Sequence, residues 1–329
     1  MAAIRRLEDL QDAVHGAGLD AVQYSKGALH GSLAVTEHLG ATFTVAHVGS
    51  HIAIRGPLST DRITIGIGLR QPEGSRQWMR EVRTGTVGIF LPGEEHQGIH
   101  AAGSSYVAVA LSREGLEGLA AELDLILEPA LFRSSGLHPV RLAEPRVAEL
   151  ARSFGPYGPG PGDAPPSVYD CRSTLEIAVT HLARAPRGDL LRGPSSGRER
   201  IVTKALDYAM DRLDGPVSVE EMARAAHTSV RSLHRAFRSV LGESPASHLR
   251  RIRLHRIRKG LASPKEARCS VTRVAYRHGM TQLGRMARWY QEVFGELPSA
   301  TLAGEDGALE GTRDGNREET PKMNLAETA

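Results

Sequence analysis

One helical pattern occurs twice in this chain, and the repeat constrains the fold more than any other feature. The first copy, SVEEMARAAHTSVRSLHRAFRSVLGESPASHL, occupies residues 218–249, and the second, SVTRVAYRHGMTQLGRMARWYQEVFGELPSATL, residues 270–302. Ser218, Val219 and Ala223 recur as Ser270, Val271 and Ala275, 52 positions later. Leu233, Arg235, Phe237, Gly242 and Pro245 recur as Met286, Arg288, Tyr290, Gly295 and Pro298, 53 positions later. The change of offset puts one extra residue in the turn inside the second copy. A repeat aligned at this many positions predicts two copies of one supersecondary unit.

Each copy reads as helix, tight turn, helix. Ser218 with Glu221 three residues on is a capping box, so a helix starts there. Val219, Met222 and Ala223 form its apolar stripe. His227 occupies the turn position that Gly279 holds in the second copy, where positive φ costs glycine nothing and histidine something. A second helix runs from Ser229 with Leu233, Phe237, Val240 and Leu241 inward, and Gly242 ends it. Ser244-Pro245 pairs a cap with proline at the first helical position, so a further helix follows.

These residues resemble the AraC/XylS family of transcriptional regulators over about a third of the chain. The resemblance rests on the repeated turn, the Leu233/Arg235/Phe237 and Met286/Arg288/Tyr290 sets, the two V-x-G-E-x-P endings and the basic helix between the copies. Met280, Ile257, Gly260 and Leu297 depart from the usual family residues. The resemblance implies two helix-turn-helix modules joined by one long helix, with their second helices in successive major grooves on one DNA face.

Charge supports a polyanion partner. Residues 198–300 hold 20 Lys and Arg against 10 Asp and Glu, and the rest of the chain 21 against 28. Scattered surface charge does not segregate in this way. Hydrophobic residues at 40% and charged residues at 24% suit a globular chain, which excludes disorder as its main state. Cys171 and Cys269 are too few for a disulfide framework or a structural zinc site, which fits a reducing cytosol. The first ten residues carry Arg5, Arg6, Glu8 and Asp9 and read as no signal peptide, and no apolar run is long enough to span a bilayer.

Residues 2–24 read as an amphipathic lead. From Thr42 to Leu111 the period becomes two: Ile63, Ile65, Ile67 and Leu69 alternate with Thr64, Gly66 and Gly68. Residues 86–90 and 106–110 are further short strands, which argues for a β sandwich or barrel. In the family resembled, this region is commonly a cupin-like jelly roll that binds an effector. The run GTVGIFLPGEEHQGIH, residues 85–100, resembles a cupin motif through its Pro-Gly turn and His96. A cupin metal site needs convergent imidazoles and a carboxylate. His47 and His51, four apart on one side of a single strand, do not complete such a set, so no metal, cofactor or enzymatic activity is expected.

Residues 112–127 read as a helix with Leu116, Leu119, Leu123 and Leu127 on one face. A Pro/Gly-rich loop follows at 155–166, then a helix at 169–183 with Leu175, Val179 and Leu182 inward, and a linker at 186–197. A helix over 200–213 precedes the first unit. The joining helix, 247–261, sets Leu254, Ile257 and Leu261 on one side and Arg251, His255, Arg258 and Lys259 on the other. From 304 the tail reads as disordered. The expected fold class is α+β: an N-terminal cupin-like β domain (1–165), a helix and linker (166–197), an all-α DNA-binding domain with two helix-turn-helix units (198–303), and the tail (304–329).

With Leu233 and Phe237 inward, Arg231, His234 and Arg235 emerge near the start of the first recognition helix, where major-groove readers sit, with Ser232 beside them. Thr228 and Ser229 are placed for phosphate. The matching positions in the second unit are Leu283, Gly284, Ala287 and Arg288, with Thr281 and Gln282 at the helix start. The second unit is therefore expected to read fewer bases, and Arg251 and Arg258 would act on DNA only through phosphate.

The resulting expectation is a cytoplasmic, nucleoid-associated, sequence-specific transcriptional regulator, an effector-responsive activator in the manner of the family. Duplex DNA, RNA polymerase, a small-molecule effector and a second copy of the chain are its expected partners. A constitutive dimeric regulator and a cupin-type enzyme fused to a DNA-binding domain are the alternatives. Convergent polar groups in the barrel would favour a sensor, and a filled apolar barrel a dimeriser.

Overall fold

The computed structural model describes residues 2–4, 19–154, 167–184, 189–213, 215–263 and 270–303. The loop at 155–166, most of the lead, part of the linker and the tail lie outside them. Sheets fill the N-terminal part and helices the C-terminal part. The strands are β1 (Ala2–Ile4), β2 (Asp20–Gln23), β3 (Gly31–His38), β4 (Ala41–Val48), β5 (Ile52–Gly56) and β6 (Ile63–Arg70). They continue with β7 (Arg76–Gln77), β8 (Arg80–Glu81), β9 (Val87–Phe90), β10 (His96–His100), β11 (Ser104–Leu111) and β12 (Gly136–Leu137). One sheet runs β1-β3-β4-β11-β6-β9-β12 and the other β2-β5-β10-β7-β8.

The period-two pattern sorts large from small side chains across the first sheet. Ile63, Ile65, Ile67, Leu69, Phe43, Val45, Val107 and Val109 are buried on one face. Three helices cover that face: α1 (Arg113–Glu122), α2 (Glu144–Phe154) and α3 (Val168–Ala183), which add Leu116, Leu150, Phe154, Leu175 and Val179 to the same core. Each such side chain contributes roughly 1.5–3 kcal/mol on full burial. The other face carries Thr42, Thr44, Gly66, Gly68, Ala108 and Ala110. Side chains this small cannot fill the ~10 Å between packed sheets, and a cavity of about 490 Å³ remains there.

The described residues of the lead form the edge strands β1 and β2, and the rest of the expected amphipathic lead lies outside the described residues. His47 lies in β4, and His51 lies beyond the Gly49-Ser50 turn, so the two are not on one strand as expected. His51 instead stacks on Tyr24, with ring centroids 4.7 Å apart. Helix α1 stops at Glu122 and the chain turns at Asp124 (φ 54°), so Leu123 and Leu127 of the leucine stripe lie past its end. Between β7 and β8 the two-residue turn is Trp78-Met79, with φ of 46° and 63°. Such turns normally take Asn-Gly. Burial offsets the strain here: Trp78 stacks on Phe90 at 5.4 Å, and Met79 enters the core of the first helical unit.

The C-terminal helices are α4 (Gly197–Met210), α5 (Val219–Ala225), α6 (Val230–Leu241), α7 (Pro245–Ala262), α8 (Val271–Arg277), α9 (Leu283–Phe294) and α10 (Pro298–Ala303). Helix α4 starts three residues before the expected Arg200, because Ser196 and Glu199 form a capping box. Two cores result. Val202, Leu206, Met222, Leu233, Phe237 and Ile252 share one, and Leu254, Ile257, Val274, Met286 and Tyr290 the other. Helix α7 supplies its first half to one core and its second half to the other.

Candidate nucleic-acid interface

The first unit is α5, a turn and α6. Ser218 accepts from Glu221 N at 3.1 Å, while Glu221 Oε2 accepts from Ser218 N at 2.8 Å, closing the expected capping box. His227 takes φ 51° in the turn and Gly279 takes φ 70° at the same point of the second unit, 52 positions on. The caps of the following helices, Ser229 and Gln282, are 53 apart, so the extra residue lies between Gly279 and Gln282. Gly242 (φ 74°) and Gly295 (φ 79°) end α6 and α9 in the left-handed conformation, which favours glycine.

None of the twelve positions expected to meet DNA is buried. Ser229, Arg231, Arg235, Thr281, Gln282, Gly284 and Arg288 are exposed, and Thr228, Ser232, His234, Leu283 and Ala287 are half-buried. Ser229 is already engaged: its hydroxyl accepts from Ser232 N at 3.2 Å and donates to Ser232 Oγ at 3.1 Å. Arg288 pairs with Glu292 at 3.3 Å across one helical turn, at an exposed site where such pairs are weak. Arg285 was missed by the sequence reasoning. It is exposed in the first turn of α9 and donates to Gln282 Oε1 at 3.0 Å. The signal was available, since Arg285 stands 53 residues after Ser232, itself a chosen position.

The basic side of α7 departs most from expectation. His255 is buried, and its Nε2 accepts from Gln23 N at 2.9 Å. Arg251 donates to Tyr24 O at 3.1 Å and to Glu243 Oε2 at 3.0 Å, and Arg258 pairs with Glu296 at 2.5 Å. Lys259 reaches Asp20 at 2.5 Å. Arg251 and Arg258 are thus engaged by carboxylates and carbonyl groups of the protein, not displayed for phosphate. Strand β2 meets Arg251, His255 and Lys259, while Glu296 of the second unit takes Arg258. Burial pushes the His255 pKa down to about 3, and its neighbours Arg251 and Arg258 also disfavour its charged form.

A second seam ties the β region to the first unit. Arg76 in β7 donates to Glu199 Oε1 at 2.9 Å, Val240 O at 3.1 Å and Met79 O at 3.1 Å. Burial opposes ionisation of Glu199, but hydrogen bonds from Ser195, Ser196 and Arg76 hold its carboxyl below the ordinary range. Arg76 also lines the cavity between the sheets, so one side chain touches the cavity, α4 and the end of the first recognition helix.

Comparison with known proteins agrees with this geometry. A helix-turn-helix domain family matches residues 222–304. The probable thc operon regulatory protein of Rhodococcus erythropolis is 36% identical over 130 residues, 40% of this chain and 38% of that protein. The XylDLEGF operon transcriptional activator 2 of Pseudomonas putida is 35% identical over 105 residues, 32% of this chain and 64% of that protein. The chain therefore covers less than two thirds of either relative. The solved structure of a transcriptional regulator with an AraC-type DNA-binding domain from Chromobacterium violaceum is 23% identical. It covers 33% of this chain and 95% of that one with a TM-score of 0.30, so the assignment rests on the sequence matches and the duplicated unit. Over residues 222–304 the chain thus carries a helix-turn-helix domain that is similar to the corresponding part of these operon regulators.

Proposed function

We propose that the chain is an effector-responsive transcriptional activator that binds duplex DNA sequence-specifically through α6 and α9. The observation that carries this reading is the duplicated unit, whose second helices both present exposed polar side chains in their first turns. In this reading, residues 198–303 are the DNA-binding domain and residues 1–165 a cupin-like jelly roll that senses a small molecule. RNA polymerase and a second copy of the chain complete the assembly. The names of relatives such as the XylDLEGF operon activator support activation over repression.

The cavity favours a sensor over a constitutive dimeriser. It is open at about 490 Å³, within the size range of small-molecule sites, and His96, His100, Tyr106 and Gln77 converge on it. Arg76 supplies the coupling: an occupant that displaces it loosens α4 and the end of α6 together. The test is a randomised-site selection with the full-length chain, followed by affinity measured against salt. A defined half-site motif and a steep loss of affinity with salt are expected, as counterions are released from several phosphates. Folded protein with no salt-dependent duplex binding would refute the reading.

A further inference from the structure

The two ends of the cavity differ in charge. The outer end carries the exposed Glu37 and Asp61 with Arg62, which donates to Thr42 Oγ1 at 3.2 Å beside the Leu39-Gly40 turn. Two carboxylates against one guanidinium leave this mouth negative. At the inner end Arg76 is already matched by the buried carboxylate of Glu199. The other polar groups there are neutral. His96 and His100 lie four apart on β10 and so share one face of the strand, the face lining the cavity.

The hydrogen bonding of these two histidines is incomplete. His96 Nδ1 contacts the Gly56 carbonyl oxygen. A carbonyl only accepts, so Nδ1 carries the proton, and Nε2 of the neutral ring is left as an acceptor. That Nε2 is not among the buried atoms left without a partner, and it belongs to a residue that lines the cavity. Nδ1 of His100 is buried without a partner. Burial pushes both imidazoles down to about 4, aided for His100 by its histidine neighbours, so neither carries charge near neutral pH. The remaining wall is uncharged, with Ile54, Phe90, Ile99, Gly66, Gly68 and Ala108 beside the polar Thr64, Gln71, Gln77 and Tyr106.

An anion would pass an acidic mouth to reach a guanidinium that already has its partner. A cation would leave water for neutral rings. Neither ion finds compensation for its lost hydration. An uncharged donor does, because Nε2 of His96 offers it an acceptor at the cavity wall and no charge has to leave water. We propose that the cavity takes an uncharged small molecule with an apolar body and one hydroxyl or N–H group, which donates to Nε2 of His96. The inference rests on reading the cavity as the effector site.

Four size-matched probes test it: para-isopropylphenol, isopropylbenzene, para-isopropylbenzoate and para-isopropylbenzylammonium. Each is titrated calorimetrically into the full-length chain near neutral pH, with His96→Phe and Ala108→Trp beside the wild type. The phenol should bind, the hydrocarbon about tenfold more weakly, and the two ions not measurably. His96→Phe should erase the difference between phenol and hydrocarbon, and Ala108→Trp, which fills the cavity, should remove both. Benzoate or ammonium binding as tightly as the phenol overturns the ligand class while leaving an effector site. Failure of all four probes overturns the effector site and the ligand class with it. If His96→Phe does not fold, the ranking of the four probes on the wild type decides alone.

Discussion

In the first helix-turn-helix unit the recognition helix starts from Ser229, whose hydroxyl caps Ser232 N. In the second it starts from Gln282, which makes no side-chain cap. The first unit has α4 packed against it and Met79 and Ile99 of the β region in its core. The second is held mainly by the far half of α7, where Arg258 meets Glu296, with Arg250 of the first half over the Trp289 ring at 4.3 Å. The same repeat therefore gives one unit with a capped helix and a wide core, and one with an uncapped helix and a smaller core. The residues common to both copies maintain the shape, and those that differ set how firmly each unit is held.

The comparison can be tested from its largest consequence down. Phe237 and Tyr290 are the fully buried aromatic residues at matching positions, and replacing either by Ala should cost about 3–5 kcal/mol. Urea titration followed by circular dichroism should show Tyr290→Ala unfolding in two transitions, because its core is separate. A single transition would mean that the two units form one cooperative block. Glu199→Gln leaves the half-buried Arg76 without its carboxylate and should cost up to about 3 kcal/mol. Glu296→Gln, at a carboxylate 37% exposed, should cost about 1 kcal/mol or less. Equal losses on thermal denaturation would show that the second unit is anchored as firmly as the first.

Acid should act on the seam beside the second unit, where His255 packs edge-on against Phe294 at 4.9 Å. Its folded pKa of about 3 lies below the ordinary histidine value. Below pH ~6.5 the unfolded chain therefore takes up a proton that the folded chain refuses. Its contribution to stability is intact above that pH and is lost as pH falls toward about 3, at about 1.4 kcal/mol per unit. Denaturation curves of His255→Phe should lack that much of the slope.

Smaller effects concern reading and capping. Arg231→Ala should cost about 1–3 kcal/mol of base discrimination in one half-site of a selected operator. Arg285→Ala should do the same in the other, which narrows the expected inequality between the units. An unchanged motif with either variant would remove that arginine from base reading. Ser229→Ala should cost about 1 kcal/mol, and Gln282→Ser should stabilise by a similar amount or less, as read from melting temperature. A destabilising Gln282→Ser would mean that the missing cap is not what separates the two units.

Features set within a few residues were legible in the sequence: the capping box at Ser218, the left-handed turn at His227, the extra residue before Gln282 and the inward stripe of α6. Each follows from local sterics or helical period. Features set by distant partners were not. Nothing in the spacing of Arg251, His255 and Arg258 distinguishes a solvated basic face from one covered by a strand more than two hundred residues earlier. Strand β2 is four residues long with Asp20 and Gln23 at its ends, too short to show a period. Asn and Gly, the usual signs of a two-residue hairpin turn, are absent at Trp78-Met79. The cavity was half legible, since Thr64, Gly66 and Gly68 marked a face without bulk but not what lay opposite.

Four contacts between the β region and the helices share one trait. His255 and Arg251 engage the main chain of Gln23 and Tyr24, Arg76 engages the main-chain oxygen of Val240, and Gly27 N donates to Val293 O at 3.1 Å. On one side of each contact the side chain is irrelevant. Residues 240 and 293 can therefore drift among types that keep the local backbone without loosening these bonds, whereas the Gln23 side chain also donates to Val293 O at 3.4 Å. Paired substitution at these positions should be rare in descendants of the chain, and a search for coevolving positions would find the joint only through side-chain pairs such as Arg76 with Glu199 and Lys259 with Asp20.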